Sequence, residues 1–254
     1  MKKNITLGFV TLTAILITTF WLFHTPPGIK EKAFAVGSSV CHQIPSHSFE
    51  AAGIQFPLCA RCSGLYLGTF IGLVYYLTLG KRKALPKKGY ILLLVFFFLV
   101  WAGDGINSFL SDFLNKPLLY ETTNMIRLVT GFGMGLVMST ALMTLFNLTA
   151  WKEGKNSPLL VSPLQVAAYA LVSALLTLVL FSENATIFQI LAYISIVTVL
   201  IIITLLYTIF WIIINKKENS FTKWNSLAIF ITAGFATAML QVTLLNMLRQ
   251  WVIR

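Results

Sequence analysis

The chain has 254 residues, of which 57% are hydrophobic and only 11% are charged, and its formal net charge is +11 at pH 7. Soluble domains carry charge on about a quarter of their residues, so this composition excludes an ordinary soluble protein and indicates one that uses the lipid bilayer as its solvent. The basic residues stand in short runs between apolar stretches, which fits membrane topology and anionic lipid headgroups. No nucleic-acid motif accompanies them, so we expect the bilayer and not nucleic acid as the partner.

Seven apolar runs reach the ~17 residues needed to span a membrane. They lie near 4–23, 60–79, 90–110, 124–147, 161–182, 186–214 and 224–248. The first run is longer than the ~7–15-residue core of a signal peptide, so we interpret it as an uncleaved helix. The pattern predicts an all-α, polytopic transmembrane bundle with seven spans, or six if the last run does not cross the membrane.

The distribution of Lys and Arg predicts the orientation of the bundle. Twelve of the 19 basic residues fall in one set of alternate loops and seven in the other. Because cytoplasmic loops carry the excess of Lys and Arg, we expect a multi-pass plasma-membrane protein with a cytoplasmic N-terminus. The long loop from His24 to Leu58 is then extracytoplasmic. The basic C-terminal end, with Arg249 and Arg254, falls on the same outer side, against the rule, and this keeps six spans open.

A cysteine and histidine cluster occupies the end of this loop. Cys41 is followed directly by His42, and Cys59 and Cys62 form a C-x-x-C motif at the start of the second long helix. The free N–H groups and macrodipole at a helix N-terminus favour a thiolate, and Arg61 adds a positive charge between the two cysteines. Thiolates are what both metal binding and disulfide exchange require.

Three interpretations of the cluster remain open. Cys41, Cys59 and Cys62 with His42 or His47 would give the four ligands of a tetrahedral Zn²⁺ site. Alternatively, Cys59 and Cys62 form a redox pair with Cys41 as a third thiol, as an oxidising compartment permits. The third interpretation is an inert disulfide or a set of packed thiols. We favour the metal site, with zinc as the cofactor and Cys41, His42, Cys59 and Cys62 as its ligands.

A carboxylate lies inside the third apolar run. Asp104 at this depth costs at least about 2.5–3.5 kcal/mol on insertion scales unless it is paired or hydrated. Asn107, Ser108 and Ser111 follow at spacings that place them on the same helical face. We therefore expect a polar stripe that faces the interior of the bundle.

The fourth run begins with polar residues that share one face, Asn124 and Arg127. The sequence predicts Arg127 as the ion-pair partner of Asp104. Together Asp104, Asn124 and Arg127 are candidate catalytic residues close to the cysteine cluster. The rival interpretations are an ion pair that only locks two helices together and, for Asn124, an N-terminal helix cap.

Glycines recur at intervals of four in two of the runs. Gly64, Gly68 and Gly72 lie in the second run, and Gly131 and Gly135 lie in the fourth. Small residues at this spacing let helices approach closely in lipid, so we expect helices two to four to pack closely together.

The order of these motifs is similar to a known family. The segment from about residue 38 to 140 resembles the prokaryotic membrane proteins of domain of unknown function 2085. The matching residues are Cys41, His42, Gln43, Pro57, Cys59, Arg61, Cys62, Gly64, Tyr66, Gly68, Asp104, Gly105, Asn124, Arg127, Thr130, Gly131 and Gly135. The resemblance implies a membrane fold and a shared site, with no reaction attached. It divides the chain into a first helix and loop start (1–37), a family region (38–147) and a three-helix extension (148–254).

The sequence leaves more than one function open. A closed metal shell would pin the outer loop to the bundle, whereas an open position would suit hydrolysis or transfer on an anionic or lipid-linked substrate. In that case Asp104 would be the general base, and Arg61 and Arg127 would hold a phosphate or carboxylate. A membrane thiol–disulfide oxidoreductase and a transporter of a small or lipid-linked anionic solute are the alternatives. Whether the protein is an enzyme stays open.

Overall fold

The computed structural model describes residues 2–182 and 184–253, and it is a bundle of helices with two small pairs of strands. The elements in chain order are α1 (Lys2–His24), α2 (Ile29–Ser38), β1 (Ser48–Ala51), β2 (Ile54–Cys59), α3 (Ala60–Leu79), β3 (Arg82–Ala84), α4 (Lys88–Leu114), α5 (Asn124–Ala150), β4 (Lys155–Pro158), α6 (Pro163–Leu180), α7 (Ala185–Ile214) and α8 (Trp224–Ile253). Seven of these helices are long and apolar enough to cross a membrane, and α2 is the short exception. The predicted all-α, polytopic fold is confirmed, with seven membrane-length helices.

The centre of the bundle is the contact between α3 and α5. A Cβ atom at Gly64 would lie 2.2 Å from the carbonyl oxygen of Leu128, and one at Gly131 would lie 2.3 Å from that of Arg61. Backbone of one helix therefore touches backbone of the other, as small residues allow. The predicted close packing of helices two to four is confirmed for the second and fourth long helices, and the third, α4, packs against the fourth. It fixes the N-terminus of α3, which carries the C-x-x-C motif, against the first turns of α5.

The remaining helices surround this pair. α4 packs against α5, α7 against α3 and α8, and α8 against α1. The first and last helices are joined by a hydrogen bond from Trp21 Nε1 to Asn246 Oδ1 of 2.8 Å. The division of the chain into three segments stays a prediction.

The loops gather at two opposite ends of the bundle. At one end β3 pairs in parallel with β4, and Lys83 Nζ donates to the carbonyl oxygen of Trp151 at 2.6 Å. At the other end lies the segment that contains Cys41, where Arg249 of α8 donates to the Cys41 carbonyl oxygen at 2.9 Å. Alternate loops thus share an end, as the count of basic residues assumes, and α8 runs from one end to the other like the six long helices before it. Which end is cytoplasmic stays a prediction.

The loop between α1 and α3 is more ordered than the sequence indicated. It contains α2 and an antiparallel hairpin of β1 and β2, whose turn at Ala52 and Gly53 has left-handed φ values of 50° and 71°. Ala33 and Val36 of α2 and Phe56 of β2 are buried in the core of the bundle. The loop therefore forms a packed cap over the ends of the helices.

Candidate metal centre

Three cysteines meet where this cap joins the bundle. Cys41 follows α2, Cys59 ends β2 and Cys62 lies in the first turn of α3. Their sulfur atoms all lie within 4.8 Å of one another, and all three are free thiols. Cys41 and Cys59 are buried, and Cys62 is partly buried. We call these three residues the cysteine triad.

The backbone around Gln43 positions the first sulfur. Gln43 has a left-handed φ of 58°. Its side-chain Nε2 donates to the carbonyl oxygens of Phe34 at 2.9 Å and Pro57 at 2.8 Å. Gln43 thereby ties the end of α2 to β2, which brings Cys41 next to Cys59. The backbone N–H of Cys59 then donates to Cys41 Sγ at 3.2 Å.

The electrostatics of the triad favour Cys59 as the thiolate. The hydrogen bond to Cys59 raises the pKa of Cys41 to about 11, and burial acts in the same direction. Hydrogen bonds from Cys41 and Cys62 hold the pKa of Cys59 well below its ordinary value, and His42 adds a smaller effect of the same sign. Cys59 is also the N-cap of α3, where the helix macrodipole favours an anion. Since like charges at this separation oppose one another, a second or third thiolate requires a cation among the sulfurs.

The two candidate histidine ligands lie beside the triad. Among the described residues, the close group of metal-ligating atoms contains the three cysteines and no histidine or carboxylate. His42 Nδ1 accepts a hydrogen bond from the backbone N–H of Ile44 at 3.0 Å. His47 Nε2 lies 3.5 Å from Asp112 Oδ1. Burial and the positive charge of Arg127 lower the pKa of His47. His42 as the fourth ligand stays a prediction.

Arg249 is a residue of the site that the sequence did not single out. Its Nη1 donates to the carbonyl oxygens of Ser38 at 3.2 Å and Cys41 at 2.9 Å, and its Nη2 donates to that of His42 at 3.1 Å. One guanidinium from the last helix therefore fixes the backbone that carries the first thiol. The only signal in the sequence is its basic charge at the end of the last run.

The ion-pair partner predicted for Asp104 is wrong. Asp104 Oδ2 accepts from Arg61 Nη2 at 2.6 Å and Arg61 Nε at 2.9 Å, and it is Arg61 that forms the ion pair. Tyr120 and Thr130 donate to the two carboxylate oxygens at 2.8 Å and 3.2 Å. Because α3 packs closely against α5, the first turn of α3 lies within reach of α4. Arg61 of α3, and not Arg127 of α5, therefore forms the ion pair with Asp104. Asp104 therefore anchors the residue that lies between Cys59 and Cys62.

The guanidinium of Arg127 has other partners, and Thr130 Oγ1 lies between the two arginines, 3.2 Å from Asp104 Oδ2 and 3.1 Å from the Arg127 carbonyl oxygen. Arg127 Nη1 donates to Asn124 Oδ1 at 2.9 Å and its Nη2 to Ser108 Oγ at 3.0 Å. Asn124 Nδ2 in turn donates to the carbonyl oxygens of Ser46 and Ser48 at 3.3 Å each. These bonds link α4, α5 and the hairpin. Within the described part of the chain, Arg127 has no carboxylate at ion-pair distance.

The structure tests two further predictions, the N-cap of α5 and the polar stripe on α4. The N-cap of α5 is Thr123, whose Oγ1 accepts from the N–H of Ile126, so Asn124 is the first helical residue and not the cap. The polar stripe on α4 is confirmed for Asp104, Asn107 and Ser108, which are buried. Asn107 holds the loop that follows α4, since its Nδ2 donates a hydrogen bond to the carbonyl oxygen of Tyr120 at 2.9 Å.

A seven-helix membrane bundle with a cysteine triad at one end is the class of protein that this fold and site define. The chain belongs to the family described as Predicted membrane protein (DUF2085), whose model matches residues 41–141. The matched segment contains the cysteine triad, α3, α4 and most of α5, so the predicted family is confirmed.

The chain is similar to two archaeal proteins. An uncharacterised protein of Methanocaldococcus jannaschii is 29% identical over 140 residues, which are 54% of this chain and 80% of that protein. An uncharacterised protein of Methanothermobacter thermautotrophicus is 30% identical over 106 residues, which are 41% of this chain and 86% of that protein. No solved structure gives a significant match to the chain.

Proposed function

We propose that this is a metal-binding membrane protein with a zinc site at Cys41, Cys59 and Cys62. The observation that carries the proposal is the cysteine triad itself, three free thiols with their sulfurs within 4.8 Å of one another. Zinc binds thiolate sulfur at about 2.3 Å, so ligands of one tetrahedral ion lie just under about 4 Å apart. The triad needs only a small contraction to reach that spacing.

His42 is the proposed fourth ligand, and it would bind less firmly than the thiolates. If Nδ1 binds the metal, the hydrogen bond from Ile44 is lost. If Nε2 binds it, the ring proton moves to Nδ1, which then no longer accepts that bond. Either mode costs one hydrogen bond, so we expect the fourth position to be the exchangeable one.

The geometry favours a structural role for the metal. The three sulfurs come from the segment after α2, the end of β2 and the first turn of α3, so one ion would add a link to the hydrogen bonds that join the cap to the bundle. Asp104, the predicted general base, has both carboxylate oxygens engaged by Arg61, Tyr120 and Thr130. We therefore assign Asp104 a positioning role, and we place the site at the extracytoplasmic face of the plasma membrane.

Metal analysis of the purified protein tests the proposal. The protein is solubilised in detergent, its zinc is measured by plasma mass spectrometry and its thiols are counted on the same sample. We expect close to one zinc per chain, and its loss in Cys41→Ser and in Cys59→Ser/Cys62→Ser. His42→Ala should keep zinc with weaker affinity, and His24→Ala is the matched control, because the His24 ring bonds the Phe20 carbonyl oxygen on α1. Metal-free protein with three free thiols would contradict the metal site.

A second candidate is thiol–disulfide exchange, because the three free sulfurs lie so close together. The Cys59 thiolate would attack a disulfide of a substrate protein, forming a mixed disulfide and releasing one substrate thiolate. The Cys62 sulfur would then attack the Cys59 sulfur and break the mixed disulfide, and the proton of the Cys62 thiol would pass to the departing substrate sulfur. Two electrons pass to the substrate, and the cysteine pair is left oxidised. Metal-free protein in which two thiols are oxidised and reducible would put this activity first.

An anionic or lipid-linked substrate is a further proposal and concerns Arg127. Its guanidinium is buried, and its side-chain partners among the described residues are neutral, Asn124 and Ser108. Arg61, the other predicted anion ligand, is neutralised by Asp104. An anion that enters this end of the bundle could therefore pair with Arg127, whose charge no described carboxylate neutralises. Arg127→Gln would abolish transport or binding of such a solute while leaving zinc in place.

A further inference from the structure

The helix α6 leaves two cavities along its length. The larger, of about 530 Å³, lies between α3, α5 and α6, and we call it the α6 groove. A smaller one of about 240 Å³ lies between α4, α5 and α6. Both are lined in part by Leu136 and Tyr169, so the two cavities are neighbours. Only 17% of the α6 span is buried, so this side of the bundle is open toward the lipid.

The α6 groove is apolar inside and polar at one end. Ile71, Leu136 and Val172 line its interior. At the start of α6, Ser162 caps the helix and Gln165 Nε2 donates to the hydroxyl of Tyr75 at 2.9 Å. The far end of α6 lies at the cap, since Phe181 packs against Phe49 of β1 with ring centroids 5.4 Å apart. The polar end of the groove is therefore the end where the basic loops gather.

A guanidinium lies next to this polar end. Arg82 Nη1 donates to the carbonyl oxygen of Pro158 at 3.2 Å, and Pro158 lies two residues before Leu160, which lines the groove. Arg82 Nε is buried without a hydrogen-bond partner. In the part of the chain that the structure describes, no carboxylate pairs with Arg82 at ion-pair distance. Lys83 and Lys155 of the same strand pair add further positive charge.

We propose that the α6 groove binds one acyl chain of an anionic phospholipid and that Arg82 binds the phosphate of that lipid. The apolar interior takes the chain, and the Arg82 guanidinium at the basic end, which no described carboxylate neutralises, takes the headgroup. Basic residues near the membrane surface attract anionic lipids in this way. The site lies at the opposite end of the bundle from the cysteine triad, so it does not depend on the metal.

Lipid retention measured by native mass spectrometry tests the proposal. The protein in detergent receives either phosphatidylglycerol or phosphatidylcholine of the same chain length, and the bound fraction is compared after gentle activation. We expect one phosphatidylglycerol to be retained in preference to phosphatidylcholine. Ala168→Phe fills the groove and should reduce retention of both lipids, whereas Ala167→Phe, at a neighbouring exposed position outside the lining, should not.

The headgroup contact has its own pair of variants. Arg82→Gln should reduce retention of phosphatidylglycerol about fivefold and leave phosphatidylcholine unchanged, whereas Arg82→Lys should keep most of the preference. Lys217→Gln removes a charge from another loop of the same end and should change neither lipid. Equal retention of both lipids by the native protein would overturn the headgroup contact. Unchanged retention in Ala168→Phe would overturn the groove as the site, and binding of inorganic phosphate that blocks no lipid would show a free-anion site instead.

Discussion

Removal of the Asp104 carboxylate should destabilise the bundle and loosen the metal site together. Asp104→Asn keeps the shape of the side chain but leaves Arg61 without a counter-charge. The Asp104 side chain is 1% exposed and that of Arg61 is 14% exposed. Breaking a buried ion pair on one side costs about 3–5 kcal/mol. Because Arg61 lies between Cys59 and Cys62, we also expect zinc affinity to fall roughly 10–100-fold, as for other residues that hold ligands in place.

The assay is a double-mutant cycle in mixed micelles, with unfolding titrated by dodecyl sulfate and followed by tryptophan fluorescence. Arg61→Gln and Asp104→Asn should show a coupling free energy of about 1–3 kcal/mol, because each variant removes the same contact. Asp104→Asn and Arg127→Gln should be coupled more weakly, because no hydrogen bond joins these two side chains directly. Asp112→Asn is the control, since that carboxylate is 51% exposed and should cost under about 1 kcal/mol. Strong coupling of Asp104 to Arg127 and none to Arg61 would refute the assignment.

Three further predictions follow from single contacts. Gly64→Ala should destabilise the bundle by about 1–3 kcal/mol, because its Cβ would lie 2.2 Å from a backbone oxygen. Gly89→Ala is the control, since its Cβ would meet nothing within 4 Å and should leave stability unchanged. Thermal melts of both variants in detergent check this. Arg249→Gln should weaken zinc binding roughly tenfold and Arg249→Lys less, measured by competition with a zinc chelator. Burial and the hydrogen bond to Asp104 raise the pKa of Tyr120. The neutral phenol therefore stabilises the fold at pH values below the unfolded-state pKa of about 10, and this contribution is lost as the pH rises through the folded-state pKa. Tyr120→Phe should remove that alkaline step from a profile of stability against pH.

The helices were predictable because the bilayer imposes their length and composition. All seven apolar runs of the sequence correspond to long helices of the structure. The glycines of α3 and α5 also predicted the right contact, since backbone approach depends on local spacing alone. The hairpin of β1 and β2 was not predictable, because strands of four and six residues in a polar loop carry no clear period. Its left-handed turn at Ala52 and Gly53 gives only a weak local signal.

The candidate site was predictable only where it is local in sequence. Cys59 and Cys62 share one helical turn, and Cys41 was assigned to them by residue type. The partner of Asp104 was missed because two arginines, Arg61 and Arg127, lay at plausible depth, and only the packing of α3 on α5 decides between them. Arg249 was missed because it is 208 residues away from Cys41. No periodic pattern connects such distant positions.

The contacts around the triad imply that the cap is ordered before a metal binds. Arg249 of α8 holds the backbone of Cys41, Asp104 of α4 holds Arg61 in the C-x-x-C motif, and Asn124 of α5 holds the hairpin. None of these bonds uses a sulfur atom. Small zinc domains differ, because without metal they are unfolded and binding energy is spent on folding. Here the binding free energy of the metal should go into affinity and not into folding. The metal-free protein should therefore keep its amide hydrogen-exchange protection in the cap. Loss of protection throughout β1 and β2 on chelation would show instead that the metal itself folds the cap.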